Sequence, residues 1–169
     1  MADCQHFLND CWNVYFHDPD DNDWSEKSYM LLGTLSSVED WQSADVSFTD
    51  LWQKGMFFLM REHIKPLWED DNNKHGGCLS FKVNKPDAGQ FWYKLSALAL
   101  GETLLKDSTL ADKICGVSIS PKRNYCILRI WVADPKVCSI DQFNIQSPEY
   151  TQVIYKSHRD NNDYVNVQK

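Results

Sequence analysis

The chain has 169 residues and a formal net charge of −7, which suits one domain with a single core, since a chain of this size buries roughly 70% of its unfolded surface. The acidic balance excludes a broad basic face for gripping long nucleic acid through its phosphates, leaving room only for a small local basic patch. No run of about eighteen apolar residues offers a membrane span, and Met1–Gln5 lacks the basic and apolar regions of a signal peptide, so a soluble cytoplasmic protein is expected.

Taken in chain order, Asp10–His17 alternates Trp12, Val14 and Phe16 against Cys11, Asn13 and Tyr15, the period of a strand covered on both faces. An acidic loop follows at Asp18–Asp23 and ends on Trp24, an aromatic that reads either as a plug for the loop or as a ligand-stacking residue. Tyr29–Leu35 is a second strand. Ser36 and Glu39 are spaced as a capping box that opens a short helix through Ala44. Val46–Lys54 is ambiguous, and Met56–Met60 is a strand leading into a long polar loop. Cys78–Val83 alternates again as a strand, and Ala88–Leu100 carries Phe91, Leu95, Leu98 and Ala99 on one helical stripe. Ile114–Ser120 and Tyr125–Val132 form a hairpin across Pro121-Lys122-Arg123-Asn124, a basic turn that by itself reads first as a solvated loop. Ser139–Asn144 is a short helix and Tyr150–Tyr155 a last strand, so a single domain spans 1–158, and a polar tail at 159–169 is expected to be mobile. Strands in hairpin-like succession with a few helices predict an α+β fold, an antiparallel sheet with helices on one face and the other face free to bind.

The stretch Ile64–Gly77 is written as a binding loop. Pro66 turns Lys65 away from helix, Asp70-Asp71-Asn72-Asn73 favours turns, and Gly76-Gly77 frees the exit. Within it Trp68 stands beside Glu69. A Trp face stacks on a planar ring and an ionised carboxylate accepts two N–H bonds from one ring edge, which suits guanine and suits a cationic guanine better. The pair also fits a core Trp beside a solvated Glu. Six cysteines without a C-x-x-C pair exclude an ordered zinc or disulfide framework and read as small buried hydrophobes, as at Cys115 and Cys126. No metal and no cofactor is expected. Among seven tryptophans, some are expected to serve a site rather than the core.

The segments His6–Trp12, Ser37-Val38-Glu39-Asp40-Trp41, Ile64–Asp70, Asn73–Gly77, Phe91-Trp92, Leu100-Gly101-Glu102, Ile114–Val117, Ile130-Trp131 and Tyr155–His158 together resemble the eukaryotic translation initiation factor four-E family, over about His6 to His158. The resemblance implies a curved antiparallel sheet of about eight strands, with helices on its convex face and a pocket for the 7-methylguanosine cap of messenger RNA on the concave side. By position it implies that Trp24 and Trp68 sandwich the base, Glu69 holds its edge, Trp131 contacts the methyl group, and Lys122 and Arg123 reach the triphosphate. It implies no catalytic residue. It also implies a second site, His6, Phe7, Val38, Trp41 and Tyr93, for a tyrosine- and leucine-anchored helix of a scaffold factor or inhibitory binding protein.

The chain departs from that family in several places. Trp41-Gln42 stands for the usual Phe-Trp, Cys78 and Leu79 replace a phosphate-contacting Arg and a Trp, and Ile127 replaces a basic residue. Phosphate contact is therefore expected to lean on Lys122 and Arg123. The altered Trp41-Gln42 region keeps a second role open, a cap-binding repressor or decoy that does not engage the usual scaffold. An enzyme acting on nucleotides finds little support, because no Gly-rich phosphate loop and no nucleophile with its base can be read.

Overall fold

The computed structural model describes residues 5–48, 51–146 and 150–159, so Cys4 and nearly all of the expected tail lie outside the described residues. Seven strands, β1 (Phe7–His17), β2 (Tyr29–Ser37), β3 (Met56–Arg61), β4 (Gly77–Asn84), β5 (Ile114–Pro121), β6 (Tyr125–Val132) and β7 (Gln152–Ser157), form one curved antiparallel sheet in the order β2-β1-β3-β5-β6-β4-β7. Two helices of more than one turn join them, α1 (Val38–Phe48) and α2 (Lys85–Leu100), with single 3-10 turns at Glu26–Ser28, Leu51–Gln53 and Ile140–Gln142 and a longer one at Ser108–Lys113.

The period-2 alternation sorts the strands, with irregularities in β2 between Leu31 and Gly33 and in β5 between Ile114 and Gly116. Trp12 and Val14 of β1, Phe57 and Leu59 of β3, Leu79, Phe81 and Val83 of β4, Val117 and Ile119 of β5, and Leu128 and Ile130 of β6 all point into the main core, where Phe91, Leu95 and Ala99 of α2 meet them. The opposite, concave face carries Phe58, Met60, Cys78, Cys115 and Trp131, which form a second, smaller cluster with Ile64. Only part of the concave face is thus free; the remainder is roofed by the Ile64–Gly77 loop.

Several boundaries differ from expectation for local reasons. The α1 capping box lies one residue later than Ser36/Glu39: Asp40 N–H donates to Ser37 Oγ (3.1 Å), and Asp40 Oδ2 reaches back to Ser37 N–H and Ser36 N–H (3.0 and 2.8 Å). Glu39 instead takes the His6 backbone N–H and ring. The helix also runs past Ala44, because Asp45, Val46 and Ser47 lower helix propensity without breaking it. Pro86, expected as punctuation, sits in the first turn of α2, where it has no hydrogen bond to lose. The expected helix at Ser139–Asn144 is one 3-10 turn with a Ser139/Gln142 capping box. The last strand starts at Gln152, since Tyr150 leaves the ladder to meet the Phe81 ring edge-on at 5.2 Å.

One buried charge ties strand ends together. Arg61, 5% exposed, donates in a fork to Glu102 (2.8 and 2.6 Å), to Asp10 (3.0 Å) and to the carbonyls of Ile114 and Ala111, with its guanidinium 4.7 Å over the Trp12 ring. Glu102 follows the Gly101 cap of α2 at φ 55°, a left-handed conformation unusual outside glycine.

Candidate nucleotide-binding site

The sheet order decides how the Trp68 loop runs. Although β3 and β4 flank it in sequence, β5 and β6 lie between them, so residues 62–76 must cross the sheet rather than close a hairpin. The crossing is held from inside by Asn73, fully buried, whose Nδ2 donates to the carbonyls of Lys65 (3.0 Å) and Leu67 (2.7 Å). Asp70 shapes the tip: Oδ1 accepts from Asn72 N–H (2.9 Å) and Oδ2 from Lys65 N–H (3.1 Å). Gly76 closes the loop where a methyl group would run into the Val132 carbonyl oxygen, so the close backbone approach requires glycine.

His158, at the end of β7, locks the same loop. Its Nδ1–H donates to the Asn73 carbonyl (2.8 Å), which leaves Nε2 to accept from the Cys78 thiol 3.2 Å away. Burial, opposed by the Asn73 bond and reinforced by the charge of Arg129, holds His158 below its ordinary 6.5. Burial also pushes the Cys78 thiol up to about 12, so this pair is a structural contact and not an activated nucleophile. A depressed histidine pKa means that the unfolded chain takes a proton the folded chain resists, so stability is expected to fall as pH drops below 6.5. Urea midpoints at about pH 7 and about pH 5.5 test this, because carboxylates act below about pH 4. His158→Gln should lose the step while Cys78→Ala keeps it.

The Trp24 loop is built the same way. Its aspartates cap successive turns: Asp18 Oδ1 accepts from Asp20 N–H, Asp21 Oδ1 from Asp23 N–H, and Asp23 Oδ1 from Ser25 N–H. His17, fully buried on the concave face, donates Nε2–H to the Asp23 carbonyl (2.9 Å) and stacks flat against Trp24, centroids 4.2 Å apart and planes 4° apart. The plug reading of Trp24 holds for one ring face, which lies against His17, while 52% of the residue stays exposed.

The two loops are stapled together. Lys65, three residues before Trp68, pairs with Glu26, two after Trp24, at 2.7 Å. Beneath the staple lies a cavity of about 270 Å³, lined by Tyr15, Tyr29, Leu31, Pro66 and Leu67 as well as the ion pair itself. Burial, with the Glu69 carboxylate second, pushes Tyr29 up to about 12, so the charge of Glu69 is near enough to be felt at this corner. From there rings run across the sheet: Trp24 on His17, His17 against Tyr29 (4.9 Å), Tyr29 against Phe58 (5.3 Å), Phe58 against Trp131 (6.2 Å). Trp131 is 7% exposed, with Nε1–H on Ser118 Oγ (3.0 Å). Trp68 is half-buried and Glu69 exposed.

The structure thus brings the Trp24 and Trp68 loops, Glu69 and the Trp131 chain of rings to one side of the sheet. It does not bring Lys122 and Arg123 there. Both are exposed at the tip of the β5–β6 hairpin, and the six residue steps of β6 from Tyr125 to Trp131 span about 20 Å. Sequence reasoning gave His17 and His158 no part in the loops and read Asn73 only as a turn former; His17, at a strand end just before the Trp24 loop, carried a local signal, whereas His158 meets the Trp68 loop only through the fold.

On the convex back, His6, Phe7, Val38, Trp41 and Tyr93 also converge. Val38 N–H donates to the His6 carbonyl (2.9 Å), and the rings of Trp41 and Tyr93 lie 4.7 Å apart. Phe7 is 74% and Tyr93 46% exposed, whereas Trp41 is half-buried and Gln42 faces solvent.

Comparison with known proteins agrees with this architecture. The family model described as Eukaryotic initiation factor 4E matches residues 7–168. The chain is 29% identical over 136 residues to eukaryotic translation initiation factor 4E of Eremothecium gossypii, covering 76% of this chain and 63% of that protein. It is 32% identical over 120 residues to the initiation factor NCBP of Oryza sativa subsp. japonica, covering 64% and 51%. The chain therefore spans between about half and somewhat under two thirds of these relatives' lengths. In fold it matches C. elegans eIF4E-3, solved in complex with the 4E-binding protein Mextli and cap analog, at a TM-score of 0.78 and 23% identity over 94% of this chain and 96% of that one. Schistosome eIF4E, solved with m7GpppG and 4E-BP, gives 0.70 at 24% over 79% and 75%. With a family model matched across almost its whole length and the fold shared, the chain belongs to the eukaryotic initiation factor 4E family.

Proposed function

We propose that this protein binds the 7-methylguanosine cap of messenger RNA on its concave face and delivers the message to translation initiation, without catalysis. The observation that carries the reading is the Glu26–Lys65 staple, which holds the loops of Trp24 and Trp68 side by side above a cavity, with the charge of Glu69 felt at the same corner. In this reading the open faces of Trp24 and Trp68 take the two faces of the base. Methylation at N7 makes the purine cationic, and two indole faces attract a cation more than a neutral ring. Glu69 accepts the N–H donors of the base edge, and its charge favours the cationic base again. Trp131, already packed on one side, offers a ring edge to the methyl group. Lys122 and Arg123 lie further out, toward the distal end of the phosphate chain.

Tryptophan fluorescence titration with a 7-methylguanosine triphosphate analogue against guanosine triphosphate tests the proposal. Saturable quenching by the methylated ligand at concentrations where the unmethylated one is silent is the expected result; equal responses would overturn it.

The partners in this reading are capped messenger RNA and a tyrosine- and leucine-anchored helix of a scaffold factor or inhibitory binding protein, seated on Phe7, Val38, Trp41 and Tyr93 beside His6. A repressor or decoy is the second reading, favoured by one observation: Trp41 is half-buried against Tyr93 and the exposed position beside it is Gln42, so the peptide surface has no second indole there. Pull-down with an anchored peptide separates the two, since a decoy does not retain it.

A further inference from the structure

We propose that Arg129 is an anion-binding side chain of the concave face, taking the cap phosphate nearest the ribose. The inference rests on the cap-binding reading and adds to it a cation outside the hairpin tip.

Alternation along β6 puts Tyr125, Ile127, Arg129 and Trp131 on the concave side, while Cys126, Leu128, Ile130 and Val132 are fully buried on the other. Register places Ser118 of β5 and Ser80 of β4 on either side of Arg129, both uncharged. Arg129 as a residue is half-buried, and among the described residues it makes no ion pair and no hydrogen bond to a carboxylate. The groups that feel its charge are Cys78 and His158, a thiol and a neutral imidazole. Arg61, by contrast, has two carboxylates, and Lys65, Lys74 and Lys113 have one each. In a chain of net charge −7, an arginine on this face with no carboxylate partner among the described residues keeps its charge available to an anion that a ligand supplies. A guanidinium fork matches phosphate oxygens in geometry as well as charge.

Position selects the phosphate. Arg129 stands two residues from Trp131, about 7 Å along the strand, whereas the hairpin tip is about three times as far. Lys82, the cation on the neighbouring strand, lies over the Tyr125 ring at 4.6 Å. Lys156 lies on the same face but two strands from Trp131, across Cys78, about 10 Å away, so Arg129 is nearer to Trp131 than Lys156 or the cations of the hairpin tip.

The test titrates wild type, Arg129→Ala, Arg129→Lys and Lys122→Ala/Arg123→Ala with 7-methylguanosine and with its 5′-triphosphate. Arg129→Ala should weaken the triphosphate about tenfold, and lower the slope of log affinity against log salt by about 1. The same substitution should leave the nucleoside unchanged or slightly tighter, because removing a cation relieves repulsion of the methylated base. Arg129→Lys should recover part of the loss, since it restores the charge but not the fork. Equal weakening of both ligands would assign Arg129 a structural role, and no change in either would remove it from the site; both overturn the proposal. Failure of wild type to bind either ligand would overturn the cap-binding reading itself, and is distinguishable because it does not depend on the variants.

Discussion

Trp68→Ala is expected to weaken binding of a methylated cap analogue by roughly 30- to 150-fold. A stacked base contributes about 1–3 kcal/mol to its aromatic partner, and the cationic purine lies toward the upper end. Glu69→Ala should cost a similar factor for a different reason: it leaves the N–H donors of the base edge without an acceptor, a loss of about 1.5–3 kcal/mol for a charged hydrogen bond. The two differ in selectivity. Trp68→Ala reduces discrimination between methylated and unmethylated ligand, because the ring quadrupole reads the charge. Glu69→Gln should weaken both ligands, since the amide turns a donor toward the donors of the base. Trp24→Ala should fall between wild type and Trp68→Ala, because its loss also exposes His17, whose ring it covers. Quenching titrations together with urea curves decide the matter: unchanged stability with lost binding assigns these side chains to the ligand, whereas lost stability assigns Trp68 to the loop's packing.

The largest effect on stability is expected at Arg61. Substitution by Met keeps the apolar stem near Trp12 but leaves Glu102 and Asp10 without their partner at the edge of the core, a cost of about 3–5 kcal/mol in the urea midpoint. Function should follow, because Arg61 ends β3 where the Trp68 loop begins, and its carbonyl accepts from Ile64 N–H. Cap affinity of the folded fraction should drop even at temperatures where Arg61→Met remains native. Glu102→Gln should cost less, since a side-chain oxygen still accepts one of the two Arg61 bonds. A variant as stable as wild type would mean that the five Arg61 contacts do no more than replace those it had with water.

Much of this molecule follows from local patterns. Alternation in Asp10–His17, Cys78–Val83 and Tyr125–Val132 identified strands and the side chains facing the core, because a pleated strand sorts alternate residues onto opposite faces whatever lies beside it. The stripe of Phe91, Leu95 and Ala99 identified the helix that covers them, and the Pro66, Asp70 and Gly76 chemistry marked the loop. Boundaries were less legible. Ser37 and Asp40 cap α1 rather than Ser36 and Glu39, since neighbouring residues offer the same polar groups and only the backbone's exit from β2 selects between them.

What only the tertiary structure decided is adjacency. Nothing in the sequence says that β5 and β6 separate β3 from β4, and it is that order which lays the Trp68 loop across the sheet. The Glu26–Lys65 staple, the His17–Trp24 stack and the Asn73–His158 lock all join residues from separate segments. That no carboxylate among the described residues pairs with Arg129 likewise depends on the strands that flank β6. Periodicity carries the direction of a side chain, because that is a property of its own backbone; its neighbours depend on contacts between distant segments, whose closure is set by the packing of the whole core.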